Sequence, residues 1–361
     1  MRFALAALVL LTACASPAPQ HASVGVHPAS TMRVHFIDVG QGAATLFEFD
    51  DGAVLVDTGG EQNDYIDSNT RLKAYLDAFF KRREDLHRHL ASLVLTHPHL
   101  DHTRGVHTVI ENFAPQHVVT NGQTKGSGAQ EQNDLMSWAS ENHVAMDAVH
   151  LSQIPPHGLT DNVIDPVHGT DVDPVITALW GQVDTDPGWG SATNNHPRFD
   201  NQNNHCVVLR VDFGKASVLV TGDLEEIAIK DMIKRYEGTQ LLDVDVYEVG
   251  HHGSINGTTP ELVAAMSPTL AVIEVGRPDH QADYCAWKFG HPRAEIIAML
   301  ENGVSMTRPE IRVQLGRGSQ SFEDHTVSKA IYATAWDGSV VLEARADGVF
   351  RQVAADVAAA P

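Results

Sequence analysis

Leu93-Val94-Leu95-Thr96-His97-Pro98-His99-Leu100-Asp101-His102 is an apolar run that stops in three histidines and an aspartate. Side chains alternate along a β-strand, and a tight loop after it lets His97 and His99 point the same way while Asp101 and His102 curl back over them. Four donor groups therefore converge. Imidazole nitrogens and a carboxylate oxygen, without a thiolate, suit Zn²⁺ first and Mn²⁺ or Fe²⁺ as weaker options. Because the chain has 21 histidines in 361 residues, clustering alone means little. Spacing, residue type and position after a strand together point to an ordered metal site.

The same arrangement recurs along the chain. Asp57 ends Gly52-Ala53-Val54-Leu55-Val56, Asp223 ends Ala216-Ser217-Val218-Leu219-Val220-Thr221-Gly222, and His251-His252 end the run from Asp243 to Gly250. Fully apolar strands are buried on both faces and need helices outside the sheets. If these strands lie side by side, their polar ends gather at one rim. Asp57 reads either as a carboxylate that orients a ligand histidine or as a turn aspartate.

Helical spacing is expected over 72–90, 106–113, 135–145, 224–236 with Ile227, Met232 and Ile233 inward, 260–266 and 293–300. Val175–Trp180 reads as a strand, and 334–342 closes the sheet. The 181–204 segment lacks a hydrophobic period and reads as a substrate-side loop. The domain is expected to span 31–346, with 347–361 a flexible tail.

Met1 to Ala13 has the charged start and short apolar region of a secretory leader. Leu11-Thr12-Ala13-Cys14 resembles a bacterial lipobox, which implies cleavage before Cys14 and lipid attachment to it; the other reading is an ordinary cleaved signal. Ala15, in place of an aspartate, favours the outer membrane or periplasm, with 14–30 as a disordered tether. An exported chain permits Cys206 and Cys285 to pair, but Cys206 heads an apolar run and reads equally as a buried thiol. The formal charge is −21, from 25 Lys+Arg against 46 Asp+Glu. Long nucleic acid is held by cationic surface, so a processive nuclease is disfavoured. One phosphate bound locally by metal ions is not.

His97-x-His99-x-Asp101-His102, followed by Gly105, resembles the signature of the metallo-β-lactamase superfamily. Phe36-x-Asp38-Val39-Gly40-Gln41-Gly42 and Val249-Gly250-His251-His252-Gly253-Ser254 are similar to the hydrolase domain of the competence protein ComEC and its soluble relatives. Ala43 departs from the aspartate most of those relatives carry, and the G-H-T-P-G loop of many other members is absent.

The resemblance implies an α/β fold, a four-layer αββα sandwich, with two divalent ions. His97 and His99 would hold the first, Asp101, His102 and His252 the second, and Asp223 would bridge them, with Asp57 behind. The first ion's remaining place falls to His205, His196 or water. His251 is assigned to the substrate, although it and His252 are exchangeable. From Gly290-His291-Pro292, His291 would hydrogen-bond a developing oxyanion or protonate a leaving oxygen; its other reading is a solvent-facing histidine at a helix start. Asp101, His251 and His291 are thus the catalytic candidates.

The function implied is metal-dependent hydrolysis by a metal-bridging hydroxide, of a small or cell-envelope phosphodiester first. Acyl hydrolysis of a lactam or lactone is the second reading, and a non-catalytic envelope or DNA-uptake binding protein the third.

Overall fold

The computed structural model describes residues 30–183, 199 and 201–355. The expected leader, Cys14, His196 and most of the 181–204 segment lie outside them.

Six strands come first: β1 (Thr31–Phe36), β2 (Thr45–Glu48), β3 (Ala53–Val56), β4 (Ser92–Val94), β5 (His117–Thr120) and β6 (Ala145–Ala148). Then follow β7 (Pro174–Trp180), β8 (Val208–Phe213), β9 (Ala216–Val220), β10 (Val246–Glu248) and β11 (Leu270–Ile273). A long hairpin, β12 (Thr307–Gly318) and β13 (Ser321–Lys329), precedes β14 (Ile331–Ala333), β15 (Val340–Arg345) and β16 (Phe350–Val353). The first sheet has the order β16-β15-β1-β2-β3-β4-β5-β6 and the second β14-β11-β10-β9-β8-β7.

Alternation along the first sheet sets the layers. Leu46, Leu55, Leu93 and Val118 pack with helices Ser68–Arg82, Val106–Asn112 and Ala129–Glu141. Their neighbours Phe47, Val54, Val94 and Val119 share a core with the second sheet. Ala228, Ile229 and Met232, Leu262 and Met266, and Ile296, Ile297 and Leu300 bring the three later helices onto that second sheet. The result is the expected αββα sandwich, with each buried aliphatic side chain contributing about 1.5–3 kcal/mol before chain entropy is subtracted.

Strands β3 to β6 run parallel, as do β9, β10, β11 and β14. Their C-terminal ends carry Asp57, the His97 loop, Asp223 and the His251 pair. Parallel pairing therefore delivers these segments to a common edge.

Local differences from the sequence reading have physical causes. The first helix starts at Ser68, because the Asp67 side chain accepts from the Asn69 and Thr70 amides, and it ends at Arg82. The helix expected at 135–145 runs instead over Ala129–Glu141, and Ala145–Ala148 pairs as an edge strand. Ile227 is exposed, since the helix beginning at Glu226 turns Ala228, Ile229 and Met232 inward. The segment from Thr334 opens with a helical turn before β15.

The tail expected after 346 contributes β16, which pairs with β15 and buries Phe350. Its short alternating segment is apolar at too few positions to announce a strand. Cys206 and Cys285 are buried and unpaired. Among the described residues no helix is long and apolar enough to cross a membrane.

Candidate metal centre

At the end of β3, Asp57 takes a left-handed conformation, φ +59°. Its carboxylate accepts the Thr96 amide at 2.8 Å, the Thr96 hydroxyl at 2.7 Å and His102 Nδ1 at 2.7 Å. The proton is thereby kept on Nδ1, and His102 Nε2 faces Asp223 Oδ1 at 3.1 Å. Asp57 thus fixes the orientation of the His102 ring. The Thr96 hydroxyl, donating to Asp57, can accept from His97 Nδ1 at 3.1 Å. His97 Nε2 then looks toward Asp223 Oδ2, 3.8 Å away.

His251 and His252 both have positive φ, +52° and +53°, which turns the chain sharply after β10. His252 Nδ1 donates to the Glu274 carbonyl at 2.7 Å, and its Nε2 lies 3.5 Å from both Asp101 Oδ2 and Asp223 Oδ1. Close backbone packing holds the other side of the rim. A Cβ on Gly42 would lie 2.4 Å from the Asp101 carbonyl oxygen, so only glycine permits this approach.

Two donor groups result. Asp101, His102, Asp223 and His252 form one, and His97, His99 and Asp223 the other; within each, the ligand atoms lie within 4.8 Å of one another. Asp223 belongs to both. The Nε2 atoms of His97, His102 and His252 and Oδ1 of Asp223 are buried without a hydrogen-bond partner. Buried lone pairs directed at one another are costly unless a cation joins them. The donor set therefore fits divalent metal, with nitrogen and oxygen ligands suited to Zn²⁺, Mn²⁺ or Fe²⁺.

The electrostatics agree. Burial alone would raise the Asp223 carboxyl, but His102, His251 and His252 hold it well below the usual carboxylate range. Burial also disfavours a charged His102, yet Asp223 and Asp57 outweigh it and keep its proton well above the ordinary range. A divalent cation held there would supply the positive charge that this proton otherwise provides. Burial and the charges of His102 and His99 push His97 well down, leaving the neutral form that ligates.

His205 does not join either group. Its Nδ1 accepts the Val183 amide and its Nε2 donates to the Phe199 carbonyl, both at 3.0 Å. No ring lone pair is left, so the expectation of His205 as a ligand is corrected.

His251 lies outside both groups, with Nε2 3.6 Å from Asp223 Oδ2 and Nδ1 3.8 Å from Glu225 Oε1. His291 is buried, its ring centroid 6.1 Å from that of His251, and its Nδ1 is 3.5 Å from Gln41 Nε2. Burial and the neighbouring histidine charges push His291 down to about 3. His251, His252, His291, His99, Asp101 and Asp223 line one cavity of about 230 Å³. His107, by contrast, is a surface partner of Asp134 at 3.1 Å.

Sequence reasoning assigned no role to several residues here. Gln41 and Asn203 line the cavity; Asn203 Oδ1 is buried without a partner, while its Nδ2 donates to Glu225 at 3.0 Å. Gln41 lies in the Phe36–Gly42 motif, which was the available signal. Glu248 and Glu274 interrupt apolar strands, a signal that went unread. Thr45 Oγ1 lies 3.2 Å from Glu248 and 2.9 Å from Glu274, and Glu274 also accepts the Ala44 amide at 2.9 Å. Burial pushes Glu274 up to about 7, and burial with the neighbouring Glu274 charge raises Glu248 well above its ordinary value.

Comparison with known proteins gives the same placement. The family model described as the metallo-beta-lactamase superfamily matches residues 37–276. Recombination protein 2 of Haemophilus influenzae is 28% identical over 261 residues, covering 72% of this chain and 26% of the relative. ComE operon protein 3 of Bacillus subtilis is 22% identical over 284 residues, covering 74% of this chain and 30% of the relative. This chain therefore spans only about a quarter to a third of their length. The solved structure of the metallo-beta-lactamase fold protein YhfI from Bacillus subtilis aligns with 13% identity and a TM-score of 0.35, covering 67% of this chain and 85% of that one. With the family model spanning most of the sandwich and both donor groups at its rim, the chain belongs to the metallo-β-lactamase superfamily.

Proposed function

We propose that the chain is a metal-dependent phosphodiesterase of the bacterial cell envelope, tethered through Cys14 and acting on a small or envelope-borne phosphodiester. The observation that carries this reading is Asp223, a single carboxylate common to two donor groups. Asp223 would be held in common by both sites, and the ions would then supply the charge suited to in-line displacement at phosphorus. When bound, the ions supply Lewis acidity and a hydrolytic water made acidic near neutral pH.

The chain's own residues do the rest. Asp57 and the Glu274 carbonyl keep His102 and His252 in the ligating tautomer. His291, neutral at physiological pH, donates a hydrogen bond to developing negative charge rather than delivering a proton. Gln41 steadies the His291 ring, and His251 binds a non-bridging oxygen of the substrate. Long nucleic acid does not suit a chain with formal charge −21.

The test is hydrolysis of bis-(p-nitrophenyl) phosphate by the 15–361 fragment. Activity should vanish with chelator and return with Zn²⁺ or Mn²⁺. Asp223→Ala should lower kcat by several orders of magnitude together with metal content. Turnover of nitrocefin or a lactone alone would replace this reading with acyl hydrolysis, and stoichiometric metal without any turnover would leave a binding protein.

A further inference from the structure

Three aromatic side chains stand among the exposed large hydrophobic residues of the described chain, Tyr65, Tyr284 and Phe289, and the last two line the metal-site cavity. Tyr284 is 80% exposed and has φ +56°, a conformation that costs a bulky residue about 1–3 kcal/mol. The ring stands at the cavity mouth. Phe289, 40% exposed, lies with its ring centroid 5.7 Å from that of His291.

The segment that carries both rings is braced. The Cys285 thiol donates to the carbonyls of His280 at 3.0 Å and Ala282 at 2.8 Å. The tip of the β12–β13 hairpin supports the other side: the Gln320 amide donates to Trp287 O at 2.9 Å, the Ser319 hydroxyl to Lys288 O at 2.6 Å, and the Gly316 amide to Pro292 O at 2.8 Å. A rigid aromatic pair binds with little loss of side-chain freedom.

We propose that Tyr284 and Phe289 determine specificity by gripping a flat aromatic ring on one alcohol of the substrate. The proposal deepens the phosphodiesterase reading and rests on it for the position of phosphorus beside His291 and the metal ligands. No lysine or arginine is among the lining residues, so apolar contact supplies the affinity for that substituent. A cationic substituent is disfavoured: Lys288 stands on the same segment, and the neighbouring Asp283 is already paired with it at 3.0 Å.

Calorimetric binding of phenylphosphonate, methylphosphonate and phosphocholine to the metal-loaded full chain tests this independently of turnover. Phenylphosphonate should bind about tenfold more tightly than methylphosphonate. That ratio should fall toward one in Tyr284→Ala and Phe289→Ala, at wild-type metal content, and persist in Tyr284→Phe. Equal affinities in the wild type, absence of phosphonate binding, a ratio unchanged in both alanine variants, or a preference for phosphocholine would overturn the aromatic rim. A chain that keeps the ring preference but does not hydrolyse bis-(p-nitrophenyl) phosphate retains the rim and loses the phosphodiesterase reading.

Discussion

His205 and Asp57 are both buried polar residues close to the metal centre, and their hydrogen bonds separate their roles. Asp57 grips the ring of a ligand, whereas His205 gives both nitrogens to the backbone of its own loop region. Asp57→Asn should therefore weaken metal affinity about 10- to 100-fold, because the His102 tautomer is no longer fixed. His205→Ala should keep wild-type metal stoichiometry while costing about 1–3 kcal/mol of stability, since it strands the Val183 amide and the Phe199 carbonyl. Metal titration and urea melts of the two variants check the contrast; loss of metal from His205→Ala would restore His205 as a ligand.

Among the elements, β2 and the helix Ser68–Arg82 are joined through Glu48. Its carboxylate receives Arg82 at 2.7 and 2.6 Å, Arg83 at 3.0 Å and His35 Nε2 at 3.1 Å. Burial would raise this carboxyl, but the bonds and charges of His35 and Arg82 override it and hold it well below its ordinary 4.5. A depressed carboxylate stabilises the fold above the unfolded-state pKa, and that contribution drains away as pH falls toward the folded-state pKa. Glu48→Gln should cost about 2–4 kcal/mol near neutral pH, and the gap to wild type should narrow steadily below about pH 4.5. Urea melts across that range measure it; a gap independent of pH would assign the loss to packing.

At the scale of the whole molecule, the metal centre sits where the two sheets meet, with donors following β4 on one side and β9 and β10 on the other. Glu248 and Glu274 of the second sheet reach Thr45 of the first and tie the sheets just behind the ligands. Metal bound across this seam stabilises the folded sandwich by linkage, about 2.7 kcal/mol at a free concentration a hundredfold above Kd. Calorimetry should show the melting temperature several degrees higher with Zn²⁺ than with chelator, and the shift should disappear in Asp223→Ala. An unchanged melting temperature with metal bound would place the ions outside the seam.

The ligand-bearing strand ends and the need for helices outside the sheets were legible in the sequence because they depend on local pattern, apolar runs closed by histidine or aspartate with helical periods between them; the four-layer order came from the family resemblance. The His97 motif announced itself because its donors lie within six positions of chain. The hairpin Thr307–Lys329 and β16 were not legible, since their strands are largely exposed and carry little apolar period. Only the tertiary structure could decide that Asp223 serves both donor groups, that His205 is consumed by backbone hydrogen bonds, and that Tyr284 and Phe289 stand over the same cavity as His251. Those facts depend on the distances between segments far apart in sequence, which parallel pairing of strands determines and a one-dimensional pattern does not contain.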